Sequence, residues 1–273
     1  MATPTHPFAV SEPGSVPLRE APLVRAVGQI RFPNLTRFAV DGDAVATLIG
    51  AELAQRYPLM QVGHEVAEIL TAEGVSQERR SSRIWRLTSS DRHWRITFSG
   101  SFLSVDTSNY RRREEFVERL VEAWAALSCH VKVPSIDRIG VRYVNQLTDK
   151  DQIDRIRELI RPEVLGVAVA RQPEEAELIS ALTEVQYGFG DGASFTSRWG
   201  LLPAGTAVDP ELDVFDYPTW VLDMDSFREF DLGEPAGGDL RELILELALR
   251  GYQFFRWTVT EEGLTEFGGD HGI

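Results

Sequence analysis

Arginine occupies two positions on a predicted β-strand near the middle of the chain. In the run RIGVRYVNQL, residues 138–147, side chains alternate between two faces, so that Arg138 and Arg142 lie opposite Ile139. A guanidinium group can hold a carboxylate or a phosphate through two parallel hydrogen bonds. The pattern predicts a strand with one apolar face and one polar face suited to an anion or an acidic side chain.

A second predicted strand carries two aspartates at the same alternating spacing. Asp223 and Asp225 share one face of the run TWVLDMDSF, residues 219–227, opposite an apolar face. Two interpretations stay open for the polar faces. The arginines and aspartates could form a structural ladder of ion pairs across neighbouring strands, or the polar face could bind a partner or an anionic ligand.

The aspartate strand also admits a catalytic alternative. Carboxylates at alternate positions hold Mg²⁺ in enzymes that transfer nucleotidyl or phosphoryl groups, so Asp223 and Asp225 could be ligands of such a metal. No glycine-serine helix start precedes this strand, and the motif alone has low specificity. The five histidines are scattered without the spacing of a metal site, and we predict no cofactor.

Short patterns recur in the two halves of the chain. IRFPN, residues 30–34, and VRYVN, residues 141–145, share the order apolar, arginine, aromatic, any residue, asparagine, and VDTSNY in turn parallels LDMDSF. These repeated patterns, together with the alternation on the two predicted strands, define the candidate binding residues: Arg31, Asn34, Asp106, Arg138, Arg142, Asn145, Asp223 and Asp225.

The order of predicted elements supports the same duplication. A strand near residues 23–32, a helix, four strand-like runs and an amphipathic helix are followed from residue 135 by a strand, a helix, a hairpin, a strand and a helix. We therefore predict an α+β protein of two tandem β-α-β(3-4)-α units with an antiparallel-rich sheet and helices on one face. The predicted divisions are a loose proline-rich tail at 1–20, a first unit at 21–133 and a second unit at 134–273.

Four segments carry a resemblance to a known family: PLVRAVGQIRF, SVDTSNYRRREEF, RIGVRYVN and the terminal FFRWTVTEEGLTEFG. Together they resemble a sporadically distributed, functionally uncharacterised bacterial family of about this length, over residues 20–268. The patchy distribution implies an accessory locus, for example one concerned with defence or of toxin-antitoxin type. The order of elements is also similar to the TATA-binding-protein fold and to helix-grip folds, a likeness of topology that does not fix function.

Charge and composition narrow the class of partner. The net charge is −14, and residues 203–273 contain 16 acidic and 4 basic side chains. Such a field repels phosphate backbones, so we expect the acidic C-terminal part not to bind nucleic acid. The N-terminal residues lack the order of a signal peptide and the only cysteine is Cys129, a pattern that favours a cytoplasmic protein with no membrane partner.

These observations favour a non-enzymatic binding or adaptor protein. We expect its polar sheet face to engage a protein partner, a second copy of the chain or an anionic ligand. The alternative is the metal-dependent transfer enzyme that would use Asp223 and Asp225.

Overall fold

The chain has an α+β fold with a predominantly antiparallel architecture. The computed structural model describes residues 6–9, 18–67, 70–71, 74–75, 80–170, 174–231 and 239–269. The strands of the first half are β1 (Leu23–Arg31), β2 (Leu59–Ala67), β3 (Leu70–Thr71), β4 (Gly74–Val75), β5 (Arg80–Thr88), β6 (Trp94–Phe98) and β7 (Phe102–Thr107). Those of the second half are β8 (Arg138–Leu147), β9 (Ala181–Gly188), β10 (Ala193–Leu202) and β11 (Thr219–Glu229).

Seven α-helices connect or follow these strands within the described residues. They are α1 (Thr36–Leu53), α2 (Arg113–His130), α3 (Lys150–Asp154), α4 (Ile156–Leu159), α5 (Pro162–Leu165), α6 (Leu240–Thr258) and α7 (Glu261–Glu266). Nine strands form an antiparallel sheet in the order β2-β5-β6-β7-β1-β8-β11-β10-β9, and β3 pairs with β4. Within the described part of the chain, no helix combines the length and the apolar character needed to cross a membrane.

The chain divides into two compact units, and neither is a continuous stretch of sequence. Unit 1 comprises Met1–Ala26, Gly140–Arg228 and Leu243–Ile273, and unit 2 comprises Val27–Ile139 and Glu229–Glu242. The divisions fall inside β1, β8, β11 and α6. The tandem repeats expected at residues 21–133 and 134–273 concern sequence duplication, and they stay a prediction.

Unit 2 is built around helix α2 and the strands β5, β6 and β7. The predicted amphipathic helix is present, and its apolar positions Phe116, Leu120 and Leu127 are fully buried. Gly28 of β1 allows this packing, because a Cβ atom there would lie 2.6 Å from Leu120 Cδ2. In strand order, β1 follows the hairpin strands β5, β6 and β7.

Unit 1 repeats that strand order with helix α6 over its sheet. Strand β8 follows β9, β10 and β11 in the order, as β1 follows β5, β6 and β7 in unit 2. Gly251 of α6 faces the ring of Tyr143, and a Cβ atom at Gly251 would lie 2.7 Å from Tyr143 Cδ2. Phe254, also on α6, packs 4.9 Å from Phe195 between ring centroids.

The start of the chain contributes to the core of unit 1. The ring of Phe8 lies 5.1 Å from Phe195 and from Phe189, and 5.2 Å from Tyr187, with edge-to-face geometry in each case. Such aromatic pairs add stabilisation beyond the apolar area they bury. Phe8 therefore anchors part of the proline-rich N-terminal segment.

Candidate functional site: an arginine-aspartate ladder

Arg142 and Asp223 form a two-fold hydrogen-bonded ion pair in unit 1. Arg142 lies in the middle of β8, and its Nε and Nη2 donate to Asp223 Oδ1 and Oδ2 of β11 at 2.8 and 2.9 Å. This is the parallel geometry that makes arginine-carboxylate pairs both strong and directional. The Asp223 side chain is only 10% exposed, so the pair lies mostly out of solvent.

The segment between β10 and β11 adds a third charged group to this pair. We call residues 203–218 the connector. Its Asp209 accepts hydrogen bonds from Arg142 Nη1 at 2.8 Å and from Arg25 Nη1 of β1 at 2.7 Å. With its side chain 5% exposed, Asp209 is a buried carboxylate neutralised by two guanidinium groups.

The ladder continues across the sheet to strand β9. Arg198 of β10 stands directly opposite Asp223 of β11, and its Nη2 lies 3.5 Å from Asp223 Oδ2. On its other side, Arg198 stands opposite the exposed Glu184 of β9. The six alternating charges, which we call the charge ladder, are Glu184, Arg198, Asp223, Arg142, Asp209 and Arg25.

The electrostatics of the charge ladder hold Arg142 in its charged form. Burial alone would lower the pKa of Arg142, but the hydrogen bonds and charge of Asp223, with the further charges of Asp209 and Asp225, raise this pKa above its ordinary value. Asp225 therefore contributes its field to the ladder. The structural interpretation left open from the sequence, cross-strand ion pairing, describes the geometry of Arg142 and Asp223.

The connector covers part of the face on which the ladder lies. Beneath it, Val144, Leu202 and Val221 form a buried apolar cluster, against which Val208 and Leu212 of the connector pack. The ladder and this apolar cluster together fix the connector to the sheet. Arg142 is consequently 29% exposed at its side chain, whereas Arg198, farther from the connector contacts, is 40% exposed.

The structure places the other predicted residues of the second half on or beside the same strands. Asn145 is buried and its Nδ2 donates to the carbonyl oxygen of Leu222 at 3.4 Å, a bond that ties β8 to β11. Arg138 is half-buried at the start of β8. Arg142, Asp223 and the field of Asp225 are thus brought together, while Asn145 stabilises the strand pair.

The predicted residues of the first half belong to unit 2 and do not form one cluster. Asp106 of β7 pairs with Arg95 of β6 through two hydrogen bonds of 2.9 and 3.0 Å. Arg31 donates from Nε to Gln29 at 2.7 Å. Asn34 lies close to Gly100, where a Cβ atom would be 2.7 Å from Asn34 Oδ1.

Sequence reasoning missed four members of the charge ladder: Glu184, Arg198, Asp209 and Arg25. Arg198 sits at an alternate position of a predicted hairpin strand, so period-two alternation could have found it. Arg25 and Asp209 gave no such signal, because their contact joins residues 184 positions apart through an irregular connector. In unit 2, Arg95 stands directly opposite Asp106, the same cross-strand relation as Arg198 to Asp223.

The geometry of Asp223 bears on the metal alternative. Both of its carboxylate oxygens accept hydrogen bonds from Arg142, so a cation at Asp223 and Asp225 would have to displace a guanidinium group. Among the described residues, no group of three or more histidine, cysteine, aspartate or glutamate side chains is arranged to hold a metal ion.

Unit 2 contains a cavity of about 410 Å³ beside the start of helix α2. Its lining includes Arg119, whose guanidinium carbon lies 4.1 Å from the centroid of Trp94 and whose Nη2 donates to Glu115 at 2.9 Å. Asp91, also in the lining, has a pKa lowered by the Ser89 hydroxyl group and the His93 N–H. The arginine is already paired with a ring and a carboxylate.

Comparison with known proteins identifies no family for this chain. No protein-family model matches the chain, and no curated protein matches it.

Proposed function

We propose that this protein is a non-enzymatic binding or adaptor component whose partner contacts the exposed end of the charge ladder. The observation that carries this proposal is the state of Arg198. Its side chain is 40% exposed, and its Nη2 contacts Asp223 Oδ2 at 3.5 Å, the long end of the hydrogen-bond range. An exposed guanidinium group that is only loosely held by its neighbour is suited to a carboxylate of a protein partner.

Within this proposal, the rest of the ladder positions Arg198. Arg142 uses three of its donors on Asp223 and Asp209, so it keeps Asp223 fixed beside Arg198. The partner we propose is a protein with an acidic segment, because the flanking Asp223 and Glu184 limit Arg198 to one additional carboxylate. The other end of the charge ladder, formed by Asp209 and Arg25, fixes the connector to the sheet and so has a structural role.

The wider setting is part of the same proposal. We infer a cytoplasmic protein of a bacterial accessory locus that arose by internal duplication. The matching strand orders of the two units and the matching pairs Arg95–Asp106 and Arg198–Asp223 support the duplication. The echo between Arg31 and Arg142 does not add to it, since Arg31 ends β1 whereas Arg142 lies mid-strand.

The transfer-enzyme alternative has a direct test. Mg²⁺ or Mn²⁺ bound at Asp223 and Asp225 would raise the melting temperature, because a ligand that binds only the native state stabilises it. We expect no shift in the wild-type protein, since Arg142 holds both oxygens of Asp223. A shift that disappears in Asp225→Asn would contradict the binding-protein proposal and favour the enzyme.

The binding proposal is tested by comparing two arginine variants as bait in extracts of the native host. Arg198→Ala should lose a partner that wild-type protein recovers, by roughly ten-fold or more if Arg198 is a central contact. Arg37→Ala removes an exposed arginine of α1 whose side chain is 56% exposed, and it should recover the partner at the wild-type level. Equal recovery by all three baits, or a large loss of thermal stability in Arg198→Ala, would rule the proposal out.

A further inference from the structure

Strand β9 is an edge of the sheet as far as the described residues show, and its outward backbone groups have no strand partner among them. At the hairpin that joins β9 to β10, the N–H of Phe189 donates to the carbonyl oxygen of Ala193 at 2.9 Å. Hydrogen-bonded pairs alternate along an antiparallel ladder, so every second residue of β9 bonds to β10. The residues whose backbone groups point away from β10 are Leu182, Glu184, Gln186 and Gly188.

Most residues of this edge are exposed, and Ala181 and Val185 are half-buried. Leu182 is 48% exposed and Tyr187 is 38% exposed, and Thr183, Glu184 and Gln186 are exposed as well. Native proteins usually protect an edge strand with lysine, proline or a covering segment. The run ALTEVQYG, residues 181–188, contains neither lysine nor proline. In the described part of the chain, β9 has β10 as its strand partner and stands last in the strand order.

We propose that β9 pairs with β9 of a second copy of this chain, antiparallel about a two-fold axis at Val185. A symmetric antiparallel pairing needs a register in which the outward-pointing residues of both strands meet. Centring on Val185 is the register that pairs all four of them, Leu182 with Gly188 and Glu184 with Gln186. The sheet then continues from one copy into the other.

The side chains favour the same register. Centring on Glu184 would place its carboxylate against the same carboxylate of the second copy, a destabilising like-charge pair. Centring on Val185 places Glu184 opposite the amide of Gln186 instead, and the axis relates two valines, which pair well across strands. The occupant that fits this edge is therefore an identical strand. This self-association goes beyond the proposed function. It uses backbone groups of β9, whereas the proposed function uses the side chain of Arg198.

Charge substitutions at Gln186 test the register. Gln186→Lys would face Glu184 of the second copy twice per dimer, and we expect the dimer Kd to fall by roughly five-fold at low salt. Gln186→Glu creates two like-charge pairs and should raise Kd by a similar factor. The same two changes at the exposed Gln55 serve as matched controls. Sedimentation equilibrium across a dilution series measures all five proteins.

Cysteine cross-linking tests the axis directly. Facing residues of a non-hydrogen-bonded antiparallel pair have Cα atoms about 4.5 Å apart, within the range that a disulfide spans. In a Cys129→Ser background, Val185→Cys should give a covalent dimer when diamide oxidises the two thiols and is itself reduced to its hydrazine. Thr183→Cys would face Tyr187 of the second copy and should give no covalent dimer.

Each result decides the matter. A concentration-dependent dimer, opposite effects of the two Gln186 variants and selective cross-linking of Val185→Cys are the expected set. A wild-type monomer throughout the dilution series would overturn the proposal. Equal cross-linking of both cysteine variants would also overturn it, and so would a dimer Kd that does not change with the charge at residue 186. Recovery of a heterologous partner through Arg198 is measured separately, so the two proposals can fail independently.

Discussion

A single guanidinium group, that of Arg142, joins three parts of unit 1. It connects β8 to Asp223 of β11 and to Asp209 of the connector, and both carboxylates are nearly excluded from solvent. A buried ion pair adds little net stability compared with apolar residues of the same shape, but removing one member leaves the other charge without compensation. The loss of Arg142 would remove a counter-charge from two nearly buried carboxylates, leaving Asp209 with Arg25 and Asp223 with the longer contact of Arg198.

We therefore expect Arg142→Ala to lower the free energy of unfolding by about 2–4 kcal/mol. The matched control is Arg37→Ala, whose exposed pair with Asp41 on α1 should contribute about 0.5 kcal/mol or less. Urea unfolding of both variants at neutral pH measures the difference. Equally small losses of stability in the two variants would show that the ion pairs of Arg142 contribute no more than the exposed pair of Arg37 does.

Asp191, at the turn between β9 and β10, gives a prediction about pH. Burial would raise its pKa, but the Ala193 N–H and the ion pair with Arg250 outweigh burial and lower it. A carboxylate with a depressed folded-state pKa contributes stability that is present above the unfolded value of about 3.9 and is lost as pH falls through the folded value.

Asp191→Asn should accordingly be less stable than wild type at neutral pH, and the gap should close as the pH falls below about 4. Thermal unfolding from acid to neutral pH measures this, with Asp154→Asn on the exposed surface of α3 as a control. A gap that stayed constant across the titration would show that the carboxylate charge is not what stabilises the turn.

At the scale of single residues, alternation predicted which side chains share a strand face but not what they contact. The pairing of Arg142 with Asp223 was one of two interpretations that the sequence left open, and the geometry supplies it. Arg31 and Asp106 matched the same pattern, yet each finds a closer partner on its own strand or the neighbouring one, Gln29 and Arg95. A short pattern specifies which face of a strand a side chain occupies, whereas its hydrogen-bond partner depends on the register between neighbouring strands.

At the scale of elements, the close approach of β9 and β10 depends on Gly200. Its φ is +140°, and a Cβ atom there would lie 1.8 Å from the carbonyl oxygen of Ala181. Only glycine fits this position without moving the backbone of β9. The position of β9, the edge strand proposed for self-association, therefore depends on the absence of a side chain at Gly200.

Gly200→Ala should detach the start of β9 and lower the free energy of unfolding by more than about 2 kcal/mol. Gly205→Ala is a close control, because Gly205 also has a positive φ of +78° but no atom lies within 4 Å of its Cβ position. Hydrogen exchange should show faster exchange at Val185 and Thr183 in the first variant alone. Unchanged protection of those amides would contradict the steric argument.

Helices with long apolar periodicity were well predicted, and short ones were not. Helices α2 and α6 are present where their patterns indicated. The single helix expected between the first strand and the hairpin of the second half is broken instead, and its first part forms the two short helices α3 and α4, which meet at Arg155. In α1, Val45 and Ile49 are buried while Leu48 is 50% exposed, because it lies at the margin of the apolar stripe. Whether a residue at the margin of an apolar stripe is buried depends on the neighbouring surface, which a single sequence does not describe.

At the scale of the whole molecule, the α+β class and the antiparallel sheet are confirmed. Alternating β-rich runs separated by turn residues identified the class, since that pattern cannot bury its apolar face as a helical bundle. The order in which nine strands adjoin one another could not be read in the same way. Strand neighbours such as β8 and β11 are distant in sequence, and local patterns carry no information about which distant strand is adjacent.

The division of unit 1 among three stretches of sequence has a consequence for synthesis on the ribosome. Most of unit 2 is encoded without interruption from Val27 to Ile139, whereas residues up to Ala26 belong to a unit whose last stretch begins at Leu243. The nascent chain must therefore carry Arg25 without Asp209 while 184 further residues are translated, and the aromatic ring of Phe8 waits for its partner Phe195 over a similar length. Domains that are continuous in the message tend to fold as they emerge. Here translation speed through the last third of the message, and chaperone capture of the exposed N-terminal stretch, would govern the yield of native protein.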